Sequence, residues 1–128
     1  MSLDEYFHET EGYGVLATAD ADGNVDAAVY ARPYFIDEKK IAFSMLERLS
    51  YKNVKSNPKA VYIFRENSDL HAYEGKRLYL TMVGEETDQN KVKQIKLQYA
   101  SRYSVAQSGK HFVYFKITKI RPLVGGIE

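Results

Sequence analysis

Ser44-Met45-Leu46-Glu47-Arg48-Leu49-Ser50-Tyr51-Lys52-Asn53-Val54-Lys55-Ser56-Asn57-Pro58 is the stretch that decides the reading of this chain. It opens as the end of a strand, because Ile41 to Leu46 is a short, largely apolar run after the charged turn Asp37-Glu38-Lys39-Lys40. It closes at Asn57-Pro58, since a residue before proline avoids the α region. The spacing predicts a helix from Ser50 to Asn57, with Ser50 as its N-cap. A helix start presents unpaired backbone N–H groups and a partial positive charge, so it stabilises an anion. Ser50 adds a hydroxyl and Lys52 a full charge within the first turn, and Arg48 lies close in sequence. Each alone reads more readily as an ordinary cap or a solvated cation. Together at a strand-to-helix junction they are candidate phosphate contacts.

Upstream, Val15 to Ala19 reads as a first strand and Asp20-Ala21-Asp22-Gly23-Asn24 as a turn with Asp-Gly at its tip. Val25 to Phe35 is the return strand, which makes the first half a meander of antiparallel strands. Ser2-Leu3-Asp4-Glu5 has the capping-box spacing. The helix it starts, with Leu3, Tyr6 and Phe7 on one face, should end near Glu11-Gly12, glycine taking the left-handed position. Downstream, Ala60 to Arg65 is a fourth strand, Glu66 to Gly75 a loop containing Asn67, Ser68 and Asp69, and Lys76 to Gly84 a fifth strand. Asp88 caps a last helix with Val92, Ile95, Tyr99 and Tyr103 on one face. Phe112 to Ile120 is a sixth strand, apolar on both faces at its start. The expectation is a mostly β single domain over residues 1–128, with flanking helices and six antiparallel strands closed into a barrel that hides its edges.

Composition bounds the function. The chain has 128 residues, 45% hydrophobic and 27% charged, as one globular domain requires. Its net charge of +1 lacks the basic excess of a nucleic-acid binder, so any anion site must be local. There is no cysteine, and no apolar run long enough for a secretory leader or a membrane span, which points to the cytoplasm. Tyrosine is abundant at 11 residues, suiting half-buried strands and interfaces.

A second candidate is the strand Ala27 to Tyr34. Alternation sets Tyr30, Arg32 and Tyr34 on one face and Ala27, Val29 and Ala31 on the other. Small residues let a flat ring approach the backbone. Arg32, inside an apolar strand, must meet a carboxylate, meet an anion or lie on a wet face. His8, His71 and His111 lack i, i+4 partners, and no nucleophile motif or phosphate loop is present. Any catalysis would therefore be carried by a cofactor.

Val15-Leu16-Ala17-Thr18-Ala19-Asp20-Ala21-Asp22-Gly23, Ala42-Phe43-Ser44-Met45, Ser50-Tyr51-Lys52 and Asn57-Pro58-Lys59-Ala60, in that order, resemble the pyridoxamine 5′-phosphate oxidase-like FMN-binding split barrels. The resemblance covers about residues 13–65 by motif and the rest by element order. It implies a homodimer with FMN at the subunit interface. Ser50 and Lys52 would meet the phosphate, with Arg48 near by. Phe43, Ser44 and Met45 would lie on the strand edge beside FMN, and Val29, Tyr30, Ala31 and Arg32 would line the ring or ribityl chain. Ala28 and Tyr51 stand where the oxidase carries arginine, and the chain has no tryptophan, so the resemblance is to a small relative rather than to the oxidase itself. The implied activity is a flavin-dependent oxidoreductase acting on a small molecule, with NADH or NADPH as a possible electron donor and no metal. Non-catalytic electron transfer or sensing, and F420 or haem on the same barrel, are the alternatives.

Overall fold

The computed structural model describes residues 1–67, 73–99 and 111–126. Helix α1, Leu3–Glu9, begins as the spacing predicts: Ser2 Oγ accepts from the Glu5 amide at 3.1 Å, and Glu5 Oε1 accepts from the Ser2 amide at 3.2 Å. Its end differs from expectation. Thr10 is an extended C-cap and Gly12 already opens strand β1, Gly12–Ala19. Arg32 Nη1 donates to the Phe7 and Thr10 carbonyls at 3.0 and 2.8 Å, so a cation satisfies the helix end where glycine was expected to.

The Asp20 turn leads to β2, Val25–Tyr30. Asp20 Oδ1 accepts from the Asp22 and Asn24 amides at 2.9 Å each, and Gly23 takes φ +86°. The expected strand from Val25 to Phe35 is broken. Pro33, which has no N–H for a ladder, ends it with Ala31 and Arg32 outside, and Tyr34–Phe35 forms a separate strand, β3. There follow β4 (Lys40–Met45), helix α2 (Leu49–Ser56), β5 (Lys59–Glu66), β6 (Gly75–Glu86), helix α3 (Gln89–Leu97) and β7 (His111–Pro122). Among the described residues, seven strands thus stand where six were expected.

The strands form one antiparallel sheet in the order β2-β1-β5-β6-β7-β4-β3. The expected meander fails at Pro33: β2 and β3 are neighbours in the chain but lie at opposite edges of the sheet. The sheet curls so that these edges approach. Its inner face holds a core with Leu16, Phe43, Tyr62, Phe64 and Phe115, closed by Phe7 of α1 and by Tyr51 and Val54 of α2. A second cluster under α3 contains Tyr34, Ala42, Val92, Tyr99, Phe112 and Tyr114. The two clusters bury both faces of the start of β7, as expected. Tyr99 lies just past α3; its hydroxyl accepts from the Phe35 amide at 2.9 Å and donates to the Phe35 carbonyl at 3.2 Å, doing for β3 what another strand would do. Tyr103, His71, Ser68 and Asp69 lie outside the described residues.

Helix α2 also starts differently. Arg48 is its N-cap and makes no side-chain capping bond, while Ser50 sits within the first turn, 5% exposed. The apolar stripe explains this: Ser50, Tyr51, Asn53 and Val54 face the sheet, and Asn53 Nδ2 donates to the buried Thr18 Oγ1 at 3.0 Å.

Candidate functional site

The two sheet edges define the site. Among the described residues, edge strand β2 pairs only with β1. β4 pairs with β7 along its whole length but with β3 only at Ile41 and Ala42. From Phe43 to Met45, one edge of β4 therefore has no strand partner among the described residues. The Tyr30 ring meets the Phe43 ring edge-on across this split, with centroids 5.7 Å apart. Tyr62 bridges it from below, its hydroxyl 3.2 Å from both the Tyr30 and the Ala31 carbonyl. That reach passes directly over Gly14, where a Cβ would overlap the Tyr62 hydroxyl.

The candidate residues converge here with differing roles. Phe43 and Met45 are 2% and 0% exposed and point into the core, so only their backbone faces the open edge. Ser44 points the other way, and its Oγ is buried with no hydrogen-bond partner among the described residues. Burial raises the Tyr30 phenol above its ordinary range, and the Ser50 hydroxyl, which faces it, acts in the opposite sense. Ser50 thus turns its side chain inward and can offer an anion only its backbone N–H. Arg48 and Lys52 are exposed at a helix start with no acidic residue in its first turn. Val29 is 76% exposed and Ala31 is exposed. Arg32 is half-buried and its Nη1 engages the end of α1, a partner not foreseen from sequence.

One constellation has no sequence signal. The Tyr51 hydroxyl donates to Glu85 Oε1 at 2.6 Å, and Glu85 Oε2 lies 2.6 Å from His111 Nδ1. The Tyr51 and His111 rings stack at 3.8 Å, 5° from parallel. Burial pushes the Glu85 carboxyl up, but the Tyr51 and His111 hydrogen bonds with the nearby positive charge outweigh it and lower its pKa. The same hydrogen bond, with burial, pushes the Tyr51 phenol up to about 12. These residues lie 34 and 26 positions apart, so spacing could not reveal them. No group of three or more His, Asp or Glu among the described residues is placed to hold a metal ion.

Outside the barrel, a groove of about 640 Å³ runs over β1, β2 and β5, lined by Ala17, Ala19, Val25, Ala27 and Val61 with Asp26 and Lys59. Val25 and Val29 stand 83% and 76% exposed on this face. Among the described residues, no helix is long and apolar enough to cross a membrane.

No family model and no curated protein matches the sequence. Solved structures do. The chain is similar to an FMN-binding protein from Syntrophomonas wolfei subsp. wolfei, at 21% identity and a TM-score of 0.75 over 95% of this chain and 83% of that one. It is similar to an F420 reductase, at 18% and 0.64 over 91% of this chain and 94% of that one. It is also similar to a Clostridium acetobutylicum protein of the pyridoxinephosphate oxidase family, at 14% and 0.63 over 93% and 84%. The likeness establishes the fold: a mostly β, antiparallel split barrel of the pyridoxamine 5′-phosphate oxidase-like type.

Proposed function

We propose that this protein binds FMN in the split between β2 and β4 and uses it as a flavin-dependent oxidoreductase on a small molecule. The observation that carries the reading is one continuous surface: a strand edge at Phe43–Met45 and a Ser44 hydroxyl that both lack partners among the described residues, and a helix start with Arg48 and Lys52 and no side-chain cap. A flat heteroaromatic ring has hydrogen-bonding partners at such an edge, and a phosphate has them at such a helix. The residues present therefore fit the group. Arg48, Lys52 and the α2 amides would hold the phosphate, while Ser44, the β4 backbone and the Val29–Ala31 segment would border the rings. FMN would supply hydride chemistry. The chain's own part is to orient the ring, to hold the phosphate charge and to exclude water through Tyr30 and Phe43.

The exposed valines and small residues of the outer face support a second copy of this chain as the partner, since a monomer gains nothing by presenting them to water. A deazaflavin is the second reading, supported by the likeness to an F420 reductase. Absorption spectra of the purified protein before and after FMN addition test the proposal. Flavin bands near one FMN per chain, in a particle of dimeric mass, are expected. A colourless protein whose FMN fluorescence stays unquenched at micromolar concentrations overturns the flavin reading, and F420 is then titrated in its place.

A further inference from the structure

We propose that Glu85 and His111 are positioning residues for the phosphate-binding turn of α2, acting through Tyr51. This rests on the flavin reading above. Helix α2 has eight residues and no side-chain cap, so it is too short to hold its own place and must be set by tertiary contacts. Tyr51 is the contact at its start. It lies between Ser50 and Lys52, is 6% exposed, and is gripped on two sides: its hydroxyl by Glu85 of β6 and its ring face by His111 of β7.

The grip is specific. Glu85 is engaged at both oxygens, one accepting from the Tyr51 hydroxyl at 2.6 Å and the other 2.6 Å from His111 Nδ1. His111 Nε2 lies 3.4 Å from Glu47 Oε1, in the loop that enters the helix. The same imidazole therefore touches the chain before Arg48 and after it. Register places His111 opposite Met45, the last residue of β4. The open strand edge and the helix start are thus tied to one rigid frame. Lys55 Nζ, 5.5 Å from the centre of the Tyr51 ring, completes the charged groups around it. A side chain that merely filled space would need neither the flat stack nor a carboxylate engaged at both oxygens.

The test compares FMN with riboflavin, which has the same ring and no phosphate. Tyr51→Phe keeps the ring and the burial and removes only the bond to Glu85. It should weaken FMN binding about tenfold, with riboflavin affinity held within about twofold. His111→Gln, which removes the stacked ring, should lower the FMN-over-riboflavin preference by at least as much while far-ultraviolet circular dichroism stays unchanged. If both variants keep the wild-type preference, or weaken the two ligands equally, the positioning role is overturned and the cluster is structural only. If the wild-type protein binds FMN no better than riboflavin, the phosphate assignment itself fails and the proposal falls with it.

Discussion

The Asn53–Thr18 hydrogen bond docks α2 on β1, and its removal has a calculable cost. Both side chains are 4% exposed and their polar atoms are 3.0 Å apart. Thr18→Val is nearly isosteric and suits a strand, but it leaves a buried amide N–H unpaired. That desolvation penalty is about 1–3 kcal/mol. Asn53→Ala removes the amide, leaves the threonine hydroxyl without its donor and opens a small cavity, for a similar loss. The double variant leaves neither group stranded, so it should be less destabilised than the sum of the singles by ~1–2 kcal/mol. In a chain of 128 residues, each kcal/mol lowers Tm by about 3–5 °C. Urea unfolding of the four proteins, at one concentration and without ligand, gives the coupling directly. Additivity within about 0.5 kcal/mol would show that the two side chains do not interact, and the docking of α2 would have to rest on Tyr51 and Val54 alone.

Three further outcomes are expected. Gly14→Ala should destabilise the fold by about 1–3 kcal/mol in urea unfolding, because its Cβ meets the Tyr62 hydroxyl and the ring carbons behind it, and Tyr62→Phe, which keeps those carbons, should leave most of that loss in place. Arg32→Met should speed amide exchange in α1 while leaving the β1–β5 pairing protected, since the lost bonds are those to the Phe7 and Thr10 carbonyls. The Glu85 carboxyl titrates below its ordinary 4.5 in the fold, so its stabilisation is present above that pH and is lost as pH falls through the folded value. Glu85→Gln should therefore flatten the acid limb of the stability profile below about pH 4.5, as read by thermal melts.

Local chemistry was legible in the chain. The capping box at Ser2 and Glu5 and the Asp20–Gly23 turn are written in contiguous residues, and both stand as the spacing predicts. So does the double-sided burial of Phe112 to Phe115. What failed was tertiary. The alternation from Val25 to Phe35 is one pattern, yet Pro33 divides it between the two ends of the sheet. Hydroxyl chemistry suggested Ser50 as a cap, but the stripe that buries Tyr51 and Val54 draws Ser50 inward too. The polarity of Arg32 calls for a carboxylate, an anion or a wet face, and nothing in the spacing foretells its bonds to two helix-end carbonyls. The orientations of the candidate residues are not written in the sequence. Phe43 and Met45 border the edge with backbone only, and nothing in the spacing links Tyr51 to Glu85 and His111.

The strand order also bears on how the protein is made. β4 carries Ile41, Phe43 and Met45 into the core, but its long partner is β7, so Phe43 meets Val113 only after β5, β6 and α3 have been synthesised. β1, β2, β5 and β6 can pair on the ribosome, while β4 waits with its apolar face uncovered. A nascent chain stalled before residue 111 exposes an adhesive strand, and it is the form of this protein most in need of a chaperone.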